Sequence, residues 1–97
     1  MDFTPLKNTV SGEAHHTTAL GAGVLVLNIP LHAACILMQA TTQNIRFTLD
    51  GTTPTATSGF QLVAGDSPTF LEITLGLTLK FIREASGAVL EYEYGGS

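Results

Sequence analysis

The sequence predicts an all-β fold: a single-domain antiparallel β-sandwich or jelly-roll-like domain of about seven strands, with a flexible N-terminal arm. Short apolar runs and alternating apolar–polar segments recur at intervals of roughly 8–12 residues, which is typical of sandwiches and barrels. Turn residues separate these segments, and no stretch shows sustained helical spacing. A chain of 97 residues is long enough for one hydrophobic core, so we expect one domain.

The chain is expected to divide into an arm, a sandwich and a short tail. Residues 1–22 are mostly small or polar and keep neither a helical nor a strand period, so they predict an N-terminal arm with one short strand near residues 17–20. Such arms become ordered when they dock on a neighbour. Residues 23–94 are expected to form the β-sandwich domain, and residues 95–97, Gly-Gly-Ser, a flexible C-terminus.

Two short apolar runs, residues 23–29 and 35–40, open the predicted sandwich. Such runs fit strands that are buried on both faces, although a short buried helix is an alternative for the second run. The span that contains them is about long enough to cross a bilayer as a helix. Pro30 would break that helix near its middle, and Asn28 and His32 would be costly in hydrocarbon. Two strands therefore fit better, and no membrane partner is expected.

The following segment has the clearest strand pattern. Ile45, Phe47 and Leu49 alternate with polar residues, which is the period of a half-buried strand. An Asp-Gly turn signal and a loop of small polar residues, 52–59, come next. Four further segments predict the remaining strands: residues 60–63, 69–75, 77–83 and 88–94.

Composition favours a protein that packs against partners. Only 12% of the residues are charged, about half the usual share of roughly 25%. Threonine supplies much of the polarity instead, with 14 residues. A threonine-rich surface with few charges is easy to desolvate, so we expect assembly with partners.

The charges exclude some partners. The net charge is −4, and the four basic residues do not cluster in the sequence: Lys7, Arg46, Lys80 and Arg83. Phosphate binding needs a concentrated basic footprint, so no nucleic-acid partner is expected. A polybasic patch for anionic lipid is absent as well.

No motif in the chain predicts catalysis. There is no phosphate-cradling glycine loop, no nucleophile elbow and no helix-borne metal motif, so we expect no enzyme activity and no cofactor. Cys35 is the single cysteine and lies in an apolar run, which predicts a small buried hydrophobe and not a catalytic thiol.

Two pairs of polar residues could have a function other than contact with solvent. His15 and His16 could ligate a metal in a symmetric oligomer, but adjacent residues of a strand point to opposite faces, so a solvated arm is favoured and no metal is expected. Glu91 and Glu93 share a strand face and could form a catalytic carboxylate pair. A solvated face that guards a terminal strand against edge pairing is the simpler interpretation.

The last strand also carries two aromatic residues on one face. Tyr92 and Tyr94 could form a platform for a sugar ring. They share their side with Leu90, however, which favours packing in the core.

An ordered series of short motifs carries a family resemblance. Residues 44–55 read Asn-Ile-Arg-Phe-Thr-Leu-Asp-Gly-Thr-Thr-Pro-Thr, and Leu-Val-Ala-Gly follows at 62–65. Leu-Lys-Phe-Ile-Arg occupies 79–83, and Ala-Val-Leu-Glu-Tyr-Glu-Tyr closes the series at 88–94. Over residues 39–94 this series resembles small virion structural proteins of tailed phages.

The resemblance implies a non-enzymatic virion protein, made in the host cytoplasm. A capsid decoration (cement) subunit is the expected function. The resemblance further implies a homotrimer, with the major capsid protein or another virion protein as the other partner. A neck or tail component is the alternative. The Asp-Gly-Thr-Thr-Pro-Thr piece also resembles turns of carbohydrate-associated β domains, so a carbohydrate-binding module stays open. The resemblance carries over no functional residues, since it consists of turns and strands.

Partner contacts are expected in the arm, residues 2–16, and in the loop of residues 52–58. The arm is unpatterned and free to dock, and binding residues favour loops on a rigid scaffold. The candidate contact residues are Asp2, Phe3, Leu6, His15, His16, Thr52, Thr53, Pro54 and Thr55.

Overall fold

Strands form where apolar and β-branched residues alternate between turn residues. The computed structural model describes residues 4–5, 15–31, 33–74 and 76–96, and within these it contains strands and turns but no helix. The strands are β1 (Thr4–Pro5), β2 (His16–Ala19), β3 (Leu25–Val26), β4 (Cys35–Thr41), β5 (Ile45–Thr48), β6 (Phe60–Leu62), β7 (Thr69–Glu72), β8 (Lys80–Arg83) and β9 (Val89–Gly96). A search for a helix able to span a membrane finds none among the described residues.

The strands form two antiparallel sheets. In the first sheet the order is β1–β9–β4–β7, and β2 also pairs with β9. Because β4 occupies one edge of β9, β1 and β2 must lie end to end along the other edge. The second sheet has the order β3–β8–β5–β6, so each sheet is four strands wide. This confirms the predicted all-β sandwich, with eight strand positions where the sequence predicts about seven.

The pairing is nested along the chain. β2 pairs with β9, β3 with β8, β4 with β7 and β5 with β6, as in one long hairpin. The pairs β4–β9 and β5–β8 then roll this hairpin into two sheets. An eight-stranded double sheet wound in this way is a jelly roll, one of the two forms that the sequence predicts.

The core lies between the sheets and follows the alternation in the sequence. In β4, Ile36, Met38 and Ala40 are buried, whereas Leu37 and Gln39 are partly exposed on the other face. The run of residues 35–40, for which a short buried helix is the alternative, is thus a strand. The buried apolar side chains that form the core cluster are Leu20, Leu27, Ile36, Met38, Ala40, Ile45, Phe47, Leu62, Leu79, Phe81, Ala88, Leu90 and Tyr94.

Both predicted ends contribute to the first sheet. β1 and β2 belong to the segment of residues 1–22 that the sequence assigns to an arm, and both pair with β9. β9 extends through Gly96, two residues into the tail predicted to be flexible. Gly95 is buried between Cys35 and Pro5 in the sheet, and its carbonyl accepts a hydrogen bond of 2.8 Å from the backbone N–H of Ala34.

Candidate interaction surface

The sandwich is apolar along the edge formed by β6 and β7. Each is the last strand of its sheet, so its outer edge has no strand partner among the described residues. Phe60 of β6 is 61% exposed, and Phe70 of β7 is 38% exposed. Exposed aromatic side chains on open strand edges are unusual in a protein that stays alone, because such edges template pairing with another chain.

The exposure of Phe60 follows from its place at the end of an aromatic row. Phe81 is fully buried on β8, and its ring centroid lies 5.8 Å from that of Phe47 on β5. The ring of Phe47 in turn lies 5.7 Å from that of Phe60. These rings face each other directly across the strands. The row thus continues the core outward, and no further strand of the described part of the chain covers its last ring.

Two clefts meet at this edge. One has a volume of about 470 Å³ and is lined by Thr48, Leu49, Asp50, Thr52, Gly59 and Phe60. The other, of about 330 Å³, reaches between the sheets toward Met38 and Leu71. Leu49 and Phe60 line both. We define the edge surface as Leu49, Thr52, Phe60, Thr69 and Leu71.

The loop beside the edge surface is held by its own hydrogen bonds. Asp50 Oδ1 accepts a 3.0 Å bond from the backbone N–H of Thr52, while the Thr48 hydroxyl donates to the carbonyl of Thr52. The hydrogen bonds from Thr52 hold the pKa of Asp50 below its usual value, so this carboxylate is ionised at neutral pH. Farther along, the backbones of Thr55 and Ser58 bond to each other at 3.1 and 3.2 Å. The loop therefore presents a fixed shape.

Gly59 sets the direction in which the chain enters β6. Its φ is +118°, a conformation that only glycine adopts easily. A Cβ atom at this position would lie 2.9 Å from the carbonyl oxygen of Phe47. The glycine thus lets the loop pass close to β5 and places Phe60 opposite Phe47.

The predicted contact residues have different positions in the structure. Asp2, Phe3 and Leu6 lie outside the described residues. Of the loop residues, Thr52 lines the larger cleft, and Thr53 and Thr55 are exposed. The prediction needs correction at Pro54, whose side chain is fully buried and packs 3.4 Å from the Cβ position of Gly59. Pro54 supports the loop from inside and has no surface to offer a partner.

Sequence reasoning missed Phe60. Its alternation with Leu62 marks it as a core residue, and it does lie on the core side of β6. Its exposure depends on β6 being the last strand of its sheet, which no local pattern reveals. The Gly-Phe pair after a polar loop was the available signal, since it marks a strand start beside a candidate contact loop.

The two adjacent histidines point to opposite faces, as predicted. The ring of His16 stacks on that of Tyr92, with centroids 4.7 Å apart and planes 11° from parallel. His15 lies on the outer face, where its Nε2 is 2.8 Å from an oxygen of Glu91 and its Nδ1 is 3.0 Å from an oxygen of Glu93. Glu91 and Glu93 are therefore the hydrogen-bond partners of His15.

Hydrogen bonds within this group stabilise the charged forms of His15 and Glu91. The carboxylates of Glu91 and Glu93 raise the pKa of His15 above its ordinary value. A 2.7 Å hydrogen bond from the Thr17 hydroxyl lowers the pKa of Glu91, and the bond with His15 adds to that effect. The two ring nitrogens of His15 bond to different carboxylates, so the three groups do not converge on one point. Among the described residues no cluster of His, Cys, Asp or Glu could hold a metal ion.

The remaining candidate residues, the two tyrosines of β9 and the cysteine of β4, pack against other parts of the protein. Tyr94 is 2% exposed, and its ring meets the edge of Tyr92 at a centroid distance of 5.7 Å. Burial raises the pKa of both phenols. The tyrosines therefore pack and offer no joint platform for a sugar. Cys35 is also fully buried, as expected of a small hydrophobe.

Comparisons with known proteins add no relative. No protein-family model matches the chain, and no curated protein or solved structure matches it.

Proposed function

We propose that this protein is a structural subunit of a virion, one that decorates a phage capsid through protein–protein contacts and joins other copies of itself at the edge surface. The observation that carries the proposal is the exposed ring of Phe60 on an unpaired edge strand. The low charge of the chain and its resemblance to small tailed-phage virion proteins are consistent with it. The jelly roll occurs in viral capsid proteins but also in lectins and cupins, so the fold does not decide the function.

Association gains free energy at the edge surface because apolar area leaves water. Burying a whole phenylalanine side chain contributes about 1.5–3 kcal/mol, and more than half of Phe60 is available for this. The edge surface itself carries no charge, so little desolvation cost opposes contact. Asp50 at its rim would meet water or a polar group of the partner.

A second copy of this chain is the occupant that fits best. The surface is apolar and the neighbouring strand edges are open, so another open strand edge offers both matching chemistry and backbone pairing. Three copies around a three-fold axis bring three such edges together and leave the outer sheet faces free for a capsid. Closed symmetry of this kind prevents further addition of subunits.

The self-association is tested by light scattering after size exclusion. We expect a trimer for the wild type and a smaller mass for Phe60→Thr, because threonine keeps the strand propensity of β6 but removes the ring. Val26→Thr is the matched control, since Val26 is 48% exposed on β3 at the opposite edge of the same sheet. A wild-type monomer at high concentration, or a Phe60→Thr variant that keeps the wild-type mass, contradicts the role of the edge surface.

The virion location is tested separately by counting copies in purified particles with quantitative mass spectrometry. Decoration of a shell requires on the order of hundreds of copies, whereas a neck or tail ring needs about a dozen, since copy number follows symmetry. Hundreds of copies support decoration, and a dozen support the alternative. Particles without the protein contradict both.

Carbohydrate binding is a second candidate, favoured by the composition of the larger cleft. It combines the face of Phe60 with the Asp50 carboxylate and the Thr52 side chain, and a sugar ring needs an apolar face and a few polar groups. A glycan array with wild type and Asp50→Asn tests this. Binding that is lost in Asp50→Asn, while the solution mass stays the same, supports a carbohydrate module over a purely structural role.

A further inference from the structure

His15 lies between two carboxylates, and only its protonated form can donate a hydrogen bond to both. A neutral imidazole has one N–H donor and one acceptor nitrogen, whereas an ionised carboxylate only accepts hydrogen bonds. Both ring nitrogens of His15 lie within 3.0 Å of a carboxylate oxygen. Only the imidazolium donates to Glu91 and Glu93 at once.

The other groups that face His15 do not compete for its proton. On its own strand side, the Thr17 hydroxyl donates to Glu91 and so leaves that carboxylate as an acceptor. The small cleft beside the ring is completed by side chains of β4, β9 and the loop before β7: Leu37, Met38, Gln39, Pro68 and Tyr92. Tyr92 is the titratable group among these, and burial raises the pKa of its phenol, so it remains neutral at neutral pH. Among the residues that the structure describes, Glu91 and Glu93 are therefore the groups that set the charge of His15.

The position of His15 gives this charge a structural consequence. His15 directly precedes β2, an edge strand of four residues whose one partner among the described strands is β9. Thr17 and Ala19 of β2 are exposed, so this strand buries few side chains. A strand held by one neighbour and few buried contacts opens at low cost.

We propose that His15 is a proton-operated latch that holds strand β2 on β9. When protonated, it ties the start of β2 to two residues of β9. When neutral, it keeps one donated bond and turns a lone pair toward the other carboxylate, so β2 is free to leave the sheet while the core stays folded. The latch lies at the opposite edge of the first sheet from β7 and does not depend on the proposed function.

The direction of the pH effect follows from the two pKa shifts. The pKa of His15 is raised in the fold, so its contribution is fully present below the ordinary value of 6.5 and is lost as pH rises through the raised value. The pKa of Glu91 is lowered, so its contribution is present above the ordinary value of 4.5 and is lost as pH falls through the lowered value. The latch is therefore closed between pH 4.5 and 6.5 and opens on the alkaline side.

Hydrogen exchange of the β2 amides, corrected for intrinsic rates, tests the latch. From roughly pH 5.5 to roughly pH 8.5 we expect the opening constant of β2 in the wild type to rise about tenfold for each unit by which the pKa of His15 is raised. His15→Gln should remove this rise, because glutamine does not titrate. Glu72→Gln is the matched control, since it removes a carboxylate from β7, the far edge strand of the same sheet.

A second measurement separates the latch from a merely structural role. In an NMR titration, the His15 ring should titrate above its ordinary range in the wild type and return toward 6.5 in the Glu91→Gln, Glu93→Gln double variant. The proposal is overturned if β2 of the wild type and of His15→Gln open with the same pH dependence. It is also overturned if the double variant leaves the His15 titration unchanged.

Discussion

Each sheet contains a row of rings that runs from the core to an edge strand, and the two rows end differently. In the second sheet the row Phe81, Phe47, Phe60 ends in a phenyl ring that is 61% exposed. In the first sheet the row runs from Tyr94 through Tyr92 and ends at His16, whose imidazole is partly buried. Neighbouring ring centroids lie 5.7–5.8 Å apart in the second sheet and 4.7–5.7 Å apart in the first. The two rows also differ in the chemistry of the last ring.

The last ring of each row determines how favourably that edge of the sheet is hydrated. Imidazole has two polar nitrogens and is hydrated readily, whereas a phenyl ring gains free energy only when another apolar group covers it. The β2 edge therefore ends in a polar ring, and we propose that the charge of His15 regulates its strand. The β6 edge is apolar and suited to a partner. The comparison predicts that substitutions along the two rows have effects that fall with distance from the core.

The largest effect is expected at the buried end of the second row. Phe81→Ala should lower the free energy of unfolding by about 3–5 kcal/mol, because it leaves a cavity at the centre of the core. Denaturant unfolding followed by circular dichroism measures this. Phe60→Ala is the control at the other end of the row and should cost less than about 1 kcal/mol. Equal losses for both variants would show that Phe60 is as well packed as Phe81.

A smaller effect is expected where the chain turns into β6. Gly59→Ala should cost about 1–3 kcal/mol, because alanine is strained at positive φ and its Cβ would press on the Phe47 carbonyl. Gly65→Ala is the matched control: its φ is +86°, but nothing lies within 4 Å of the added Cβ. In thermal unfolding, the Gly59→Ala variant should have a lower midpoint temperature than the Gly65→Ala variant. The reverse order is incompatible with a close approach at Gly59.

The end of the first row should contribute less. His16→Ala should lower the free energy of unfolding by about 0.5–1.5 kcal/mol, because the stack on Tyr92 is lost. His16→Phe keeps a flat ring against Tyr92 and should recover most of this loss in the same denaturant titration. A loss in His16→Phe as large as in His16→Ala would mean that stacking is not what the imidazole contributes.

The smallest effect is expected on the outer face of the second sheet. There the Arg46 Nε donates to Glu84 at 2.7 Å and the Gln61 amide donates to the same oxygen at 2.6 Å, which links β5 and β6. Glu84→Gln should cost under about 1 kcal/mol, since partly exposed ion pairs contribute little. Equilibrium unfolding at neutral pH measures the difference, with Glu72→Gln as control.

The pH dependence of that difference has a fixed sign. The Gln61 bond, followed by Arg46, lowers the pKa of Glu84, so its contribution is present above the ordinary value of 4.5 and is lost as pH falls through the lowered value. The wild type and Glu84→Gln should therefore converge in stability in acid. A gap that widens in acid contradicts this arrangement.

Much of the fold could be predicted because its strands are locally encoded. The alternation of Ile45, Phe47 and Leu49 places a strand, and β5 spans most of it. The apolar run at residues 35–40 matches β4 closely. Predicted strand ends are less accurate: the run of residues 23–29 contributes only Leu25–Val26, because pairing with β8 covers just that length.

The candidate sites were only partly predictable, because each joins residues that are distant in sequence. Alternation told us that His15 and His16 face opposite ways, since that depends on one strand alone. It could not tell that His15 meets Glu91, which is 76 residues away. That contact exists because β2 and β9 are neighbours in the sheet.

By itself the sequence determined the all-β class, most of the strand positions and the inward side of the clearly alternating strands, because these depend on turn residues and on a period of two. Strand order was decided only by the tertiary structure, since pairing joins segments through backbone groups that every residue shares. That order makes β6 an edge strand and turns Phe60 from a core residue into an exposed one. It also brings β2 beside β9, where His15 gains two carboxylates.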